Sequence, residues 1–72
     1  METFEMLKQL LSNKTSETIL ASATMEDLRI DSLDLVEVLL TVEEQLGIVF
    51  EDEELLKLKT VQDVVDLVNS KI

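Results

Sequence analysis

Between Leu33 and Leu46 the apolar positions form two stripes along a helix, where one would suffice. Counting about 100° per residue, Leu35, Val38, Leu39, Val42 and Leu46 share one face. Leu33, Val36 and Leu40 share a second face, rimmed by Glu37, Glu43 and Glu44. A surface helix needs a single apolar stripe to reach its own core, so the second stripe asks for a partner. Asp31 is the expected N-cap of this helix, with Asp34 favourable in its first turn. Gly47 stands where a left-handed C-terminal cap belongs.

The same pattern predicts three more helices. Phe4, Leu7, Leu10 and Leu11 repeat at three- and four-residue intervals from Glu2 to about Asn13, with acids first and lysines last, as the helix dipole favours. Glu51-Asp52-Glu53-Glu54 opens a short third helix carrying Leu55, Leu56 and Leu58, after an apolar link at Ile48-Val49-Phe50. Thr60 caps a fourth helix, with Asp63 at capping-box spacing and Val61, Val64, Val65, Leu67 and Val68 facing inward. From Thr15 to Ile30 no periodicity persists, yet Ile19, Leu20, Met25, Leu28 and Ile30 are apolar. A long structureless loop is uncommon in a small domain. This segment is therefore expected to lie across the bundle, pinned by its own side chains around a single helical turn. The fold class is all-α, a four-helix bundle with a long first loop and a short third helix, residues 1–72 making one domain.

Composition adds limits. The chain has 72 residues, no cysteine, no proline and one glycine, so no disulfide or thiolate metal site reinforces the core. The net charge of −10 argues against nucleic acid, whose phosphates need a basic face. From Ile30 to Leu56 there are nine acids and no lysine or arginine, a one-signed stretch suited to steering basic partners. No basic, apolar leader or membrane-length apolar run is present, so membrane insertion is not expected and the cytoplasm is the expected location.

Histidine and cysteine are both absent, which removes the commonest general base and the strongest nucleophile. No glycine-rich phosphate loop occurs, and the acids of Glu51 to Glu54 lack the spacing of a calcium loop. The chain is not expected to be an enzyme or to hold a dedicated metal. Any chemistry must arrive with another molecule.

Asp31-Ser32-Leu33, after a loop and at the head of an acidic helix, resembles the attachment motif of acyl carrier proteins. The resemblance continues through Val42-Glu43-Glu44-Gln45-Leu46, Glu51-Asp52-Glu53-Glu54 and Lys59-Thr60-Val61-Gln62-Asp63, covering nearly the whole chain. It implies that Ser32 receives 4′-phosphopantetheine from coenzyme A through a separate, magnesium-dependent phosphopantetheinyl transferase. The arm's thiol would then carry acyl groups as thioesters. A serine at a helix N-terminus is accessible, and free backbone N–H groups there favour a phosphodiester; without the arm, Ser32 is an ordinary first-turn residue.

The resemblance also gives the second stripe a use. Asp31, Leu33, Asp34, Val36, Glu37, Leu40, Glu43 and Glu44 would dock on acyl-chain-processing enzymes with basic patches. Leu39, Val42, Leu46, Phe50, Leu55, Leu58 and Leu67 are interior first, and by resemblance could admit an acyl chain. Two positions depart from the family. Arg29 stands where glycine is usual, and the loop is expected to differ locally so that arginine avoids a positive φ. Glu51 stands where proline is frequent, so the third helix could start differently. The reading is a freestanding, monomeric carrier, most naturally serving fatty-acid synthesis. Carriers of aminoacyl or polyketide intermediates remain open, as does an unmodified acidic helical adaptor.

Overall fold

In the computed structural model, which describes residues 2–72, Glu2 caps the first helix by accepting the Glu5 N–H at 3.2 Å. This helix, α1 (Thr3–Leu11), buries Leu7 and Leu11 and packs against both α2 (Ser32–Leu46) and α4 (Val61–Lys71). The short α3 (Asp52–Leu55) lies between those two in sequence. Among the described residues these four helices are the regular structure, as the spacing of apolar positions predicts. Leu7, Leu11, Leu28, Val42, Val61, Val64 and Val68 are all but sealed from solvent and form the centre of the core.

The long α1–α2 connection belongs to that core. Ile19, Ala23, Leu28 and Ile30 are buried in it. Thr15 Oγ1 donates to the Leu28 carbonyl at 2.6 Å, drawing the two ends of the segment together. Thr24 and Asp27 bond each other's backbone N–H groups at 3.1 and 3.0 Å, a capping box on one isolated turn. Further along, Met25 N–H reaches the Lys59 carbonyl at 3.1 Å, and Val61 and Gln62 donate to Ala23 and Ala21, both at 2.9 Å. An antiparallel bridge between Thr24 and Thr60 sits among them, so the loop is stitched to the start of α4.

Arg29 is a correction to the sequence reading. The loop does not rearrange to spare it: Arg29 has φ +58°. The reason is the way the turn closes. Ile30 N–H donates back to the Met25 carbonyl at 2.9 Å and Arg29 N–H to Glu26 at 3.0 Å, the double closure that puts its penultimate residue in the left-handed region. Gly47 ends α2 with φ +68°, and there Ile48 N–H returns to the Glu43 carbonyl at 3.3 Å. At Gly47 the conformation is free of side-chain strain; at Arg29 it costs roughly 1–2 kcal/mol. The Arg29–Glu17 pair, at 3.9 Å and open to solvent, offsets little of this. Arg29→Gly should therefore stabilise the domain by about 1 kcal/mol after the entropy of the freer unfolded chain is subtracted. A denaturation midpoint unchanged or lowered by Arg29→Gly would show that the turn is not strained.

The remaining caps follow the sequence. Asp63 accepts the Thr60 N–H at 3.1 Å and the Lys59 N–H at 3.0 Å, while its own N–H donates to Thr60 Oγ1 at 3.1 Å. Glu54 Oε1 accepts the Glu51 N–H at 2.8 Å and Lys71 Nζ at 2.9 Å, tying α3 to the end of α4. These contacts hold both carboxyls below their ordinary values: Asp63 mainly through the backbone N–H groups of Thr60 and Lys59, Glu54 mainly through the Glu51 N–H and then Lys71. A depressed folded value means stabilisation that is complete above the unfolded value and lost as pH falls through the folded one. Melting temperature should thus fall below about pH 4, and Asp63→Asn should flatten that acid limb while lowering stability at neutral pH. Parallel acid limbs for the two proteins would remove Asp63 from the account.

Candidate functional site

The site is built on the N-terminal half of α2. Asp31, in extended conformation, accepts the Asp34 N–H on Oδ1 at 2.9 Å and the Leu35 N–H on its carbonyl at 3.1 Å. That leaves the N–H groups of Ser32 and Leu33 free of the helix ladder and pointing out of its positive end. Ser32 is the first residue of the helix and is exposed. A hydroxyl with two neighbouring backbone donors fits a phosphodiester, so the local geometry accepts the group implied by the motif.

The two stripes separate as their spacing predicts. Val38, Leu39 and Val42 are buried, whereas Leu33 is 73% exposed, Leu40 53% and Val36 41%. Among the described residues no element covers the second row, and Glu44 beside it is exposed.

Its other acids have local partners that sequence did not supply. Lys14 donates from the end of α1 to Glu37 and stands 4.0 Å from Asp34 Oδ1. The ammonium is held above the ordinary lysine value, first by the hydrogen bond to Glu37 and then by the charges of Glu37, Asp34 and Asp31, against some desolvation. The stretch that is one-signed in sequence is therefore not one-signed in space. Glu43 turns the other way and accepts the Phe50 N–H at 2.7 Å, fixing the turn after α2.

Between α2 and α3 lies a groove of about 180 Å³ lined by Val36, Leu39, Leu40, Glu43, Phe50, Asp52 and Leu55. It gathers three of the seven residues expected around an acyl chain: Leu39, Phe50 and Leu55. Val42 is wholly inside the core and Leu46 half-buried near the far end of α2. Leu58 and Leu67 line a different cleft with Glu54, Lys57, Asp63 and Asp66. Val36, Leu40, Glu43 and Asp52 were not expected there; alternation of apolar face along α2 could not reveal that the groove opens at the edge between its two stripes. Among the described residues no cluster of acids has metal-holding geometry, and no helix is long and apolar enough to cross a membrane.

Comparison with known proteins agrees with this geometry. The family described as phosphopantetheine attachment site matches residues 5–68. The acyl carrier protein of Thermosynechococcus vestitus is 43% identical, covering 99% of this chain and 93% of its own. That of Coprothermobacter proteolyticus is 41% identical over 99% of this chain and 87% of its own. The crystal structure of the acyl carrier protein of Thermotoga maritima superposes with a TM-score of 0.82 at 28% identity, covering 99% of this chain and 91% of that one.

Proposed function

We infer the particulars of this protein from one premise: the chain belongs to the acyl carrier protein family. As a member it carries acyl intermediates on a covalently attached 4′-phosphopantetheine, whose terminal thiol supplies the thioester chemistry. The attachment residue is Ser32. The observation that carries this assignment is an exposed hydroxyl at the first position of α2, beside two backbone N–H groups left free by the Asp31 cap. Asp31 holds the helix end in place without using the Ser32 oxygen, so the hydroxyl stays available to a transferase acting with coenzyme A.

The chain's own part is presentation, and the protein is not itself an enzyme. Leu33, Val36 and Leu40 offer an apolar ridge; Asp31, Asp34, Glu37 and Glu44 rim it with carboxylates, while Glu43 is held by the Phe50 N–H at its edge. Enzymes with a basic rim around an apolar pocket fit this face, and the charges act mainly on encounter rate. The groove between α2 and α3 lies beside the ridge and accepts the start of an acyl chain against Leu39, Phe50 and Leu55. Fatty-acid synthesis in the cytoplasm, served by a monomer of one domain, is the setting we propose.

The test is intact mass after incubation with coenzyme A, Mg²⁺ and a broad-specificity phosphopantetheinyl transferase, followed by peptide mapping. One phosphopantetheinyl group on the peptide containing Ser32 supports the assignment. Folded protein that gains nothing is an unmodified acidic adaptor instead.

A further inference from the structure

We propose that Lys14 is an internal competitor for the docking face, occupying the carboxylates on its α1 side so that partners must bring their cations to the other side. The proposal rests on the docking role given above and adds to it the direction from which a partner is recognised.

Lys14 is placed for this by the end of α1. Its backbone N–H donates to the Leu11 carbonyl at 2.8 Å, which continues the helix by one turn and aims the side chain at α2. Its side chain lines a cleft together with Leu10, Asn13, Glu37, Val38 and Thr41. At its head, Glu37 and Asp34 both lie within 4.0 Å. Arg29 faces Glu17 and Lys71 faces Glu54, so among the described residues Lys14 is the cation paired with carboxylates of α2.

Around the helix at about 100° per residue, Asp34, Glu37 and Thr41 fall on the flank toward α1, and Val36 and Glu43 on the flank toward α3. The apolar ridge is thus bordered unequally. On one border Asp34 and Glu37 already face an ammonium; on the other, exposed Asp52 and Glu53 at the start of α3 have none within ion-pair distance among the described residues. A partner's lysine or arginine reaching Glu37 must displace Lys14, whereas one reaching Asp52 or Glu53 displaces only water and counterions. The recognised partner is an enzyme whose basic residues cluster on the α3 side of the ridge.

The experiment measures transferase-catalysed loading of the full chain across ionic strengths. Lys14→Ala should lower KM about two- to fivefold at low salt with kcat unchanged, and the gain should vanish at high salt. Lys14→Gln should behave alike, and Lys14→Arg should restore the wild-type KM. Lys8→Ala makes the same change in net charge on exposed α1 surface and should give a smaller gain. An unaltered KM in both neutral variants overturns the proposal, as does an equal gain from Lys8→Ala, which would make the effect one of total charge. Wild-type protein that accepts no group at all overturns the carrier reading and takes this proposal with it. A carrier that loads normally yet ignores Lys14 overturns the proposal alone.

Discussion

Ser32→Ala takes up no phosphopantetheine from coenzyme A and melts within about 3 °C of the wild type. The chemical half of this expectation follows from where the other hydroxyls are. Thr15, Thr24, Thr41 and Thr60 are engaged with the backbone, and Thr3, the other hydroxyl at the first position of a helix, donates to Asn69 Oδ1 at 2.6 Å. The chain offers no cysteine or histidine as a substitute. The stability half follows from the cap. Asp31, one residue earlier, takes the Asp34 N–H, so removing an exposed hydroxyl beside it costs the helix almost nothing. Asp31→Ala is the informative contrast. It loses a cap worth about 1 kcal/mol and loosens the end of α2, so loading should slow without being abolished. Intact mass, helical circular dichroism and a melting curve on the same samples separate the two. A full mass gain on Ser32→Ala would move the attachment point elsewhere and undo the assignment.

What the sequence made legible was local. Asp31 and Asp34, Thr60 and Asp63, and Gly47 each announce a helix end by spacing that a single turn of backbone enforces. The two stripes of α2 were legible for the same reason, since a helix converts sequence separation into angle. The turn between Thr24 and Arg29 carries the same kind of signal: Thr24 and Asp27 have the spacing of Thr60 and Asp63, and the apolar Met25 and Ile30 flank the closure as such a turn prefers. It could have been found, and with it the positive φ of Arg29. Lys14 could not. Its contact with Glu37 spans 23 positions and depends on how α1 lies across α2, which no local spacing encodes. The same holds for the groove. Leu58 and Leu67 read as companions of Leu39 because all are apolar, but only the packing of α3 decides which side of it they line.

Reversing two charges on the docking rod should damage loading more than any change short of losing the serine, while leaving the fold in place. Glu37 and Glu44 are seven residues apart, two turns along the same exposed side of α2, and flank the Leu33–Val36–Leu40 ridge. In Glu37→Lys with Glu44→Lys the net charge of −10 falls to about −6, and the two new cations stand beside the apolar ridge, where they repel a basic partner and leave Lys14 without its pair. Transferase kcat/KM should fall about 10- to 100-fold at low salt, chiefly through slower capture. Raising ionic strength should narrow the gap by slowing the wild type, because exposed charges are screened within about 10 Å at 0.1 M salt. Stability is expected to change little, as the pair that Glu37 makes with Lys14 is open to solvent and such pairs contribute about 1 kcal/mol at most. Retained helicity makes the kinetic loss a matter of recognition. If the doubly reversed protein keeps wild-type kcat/KM at low salt, the acidic face of α2 is only a solvated surface, and the apolar ridge would have to dock without it.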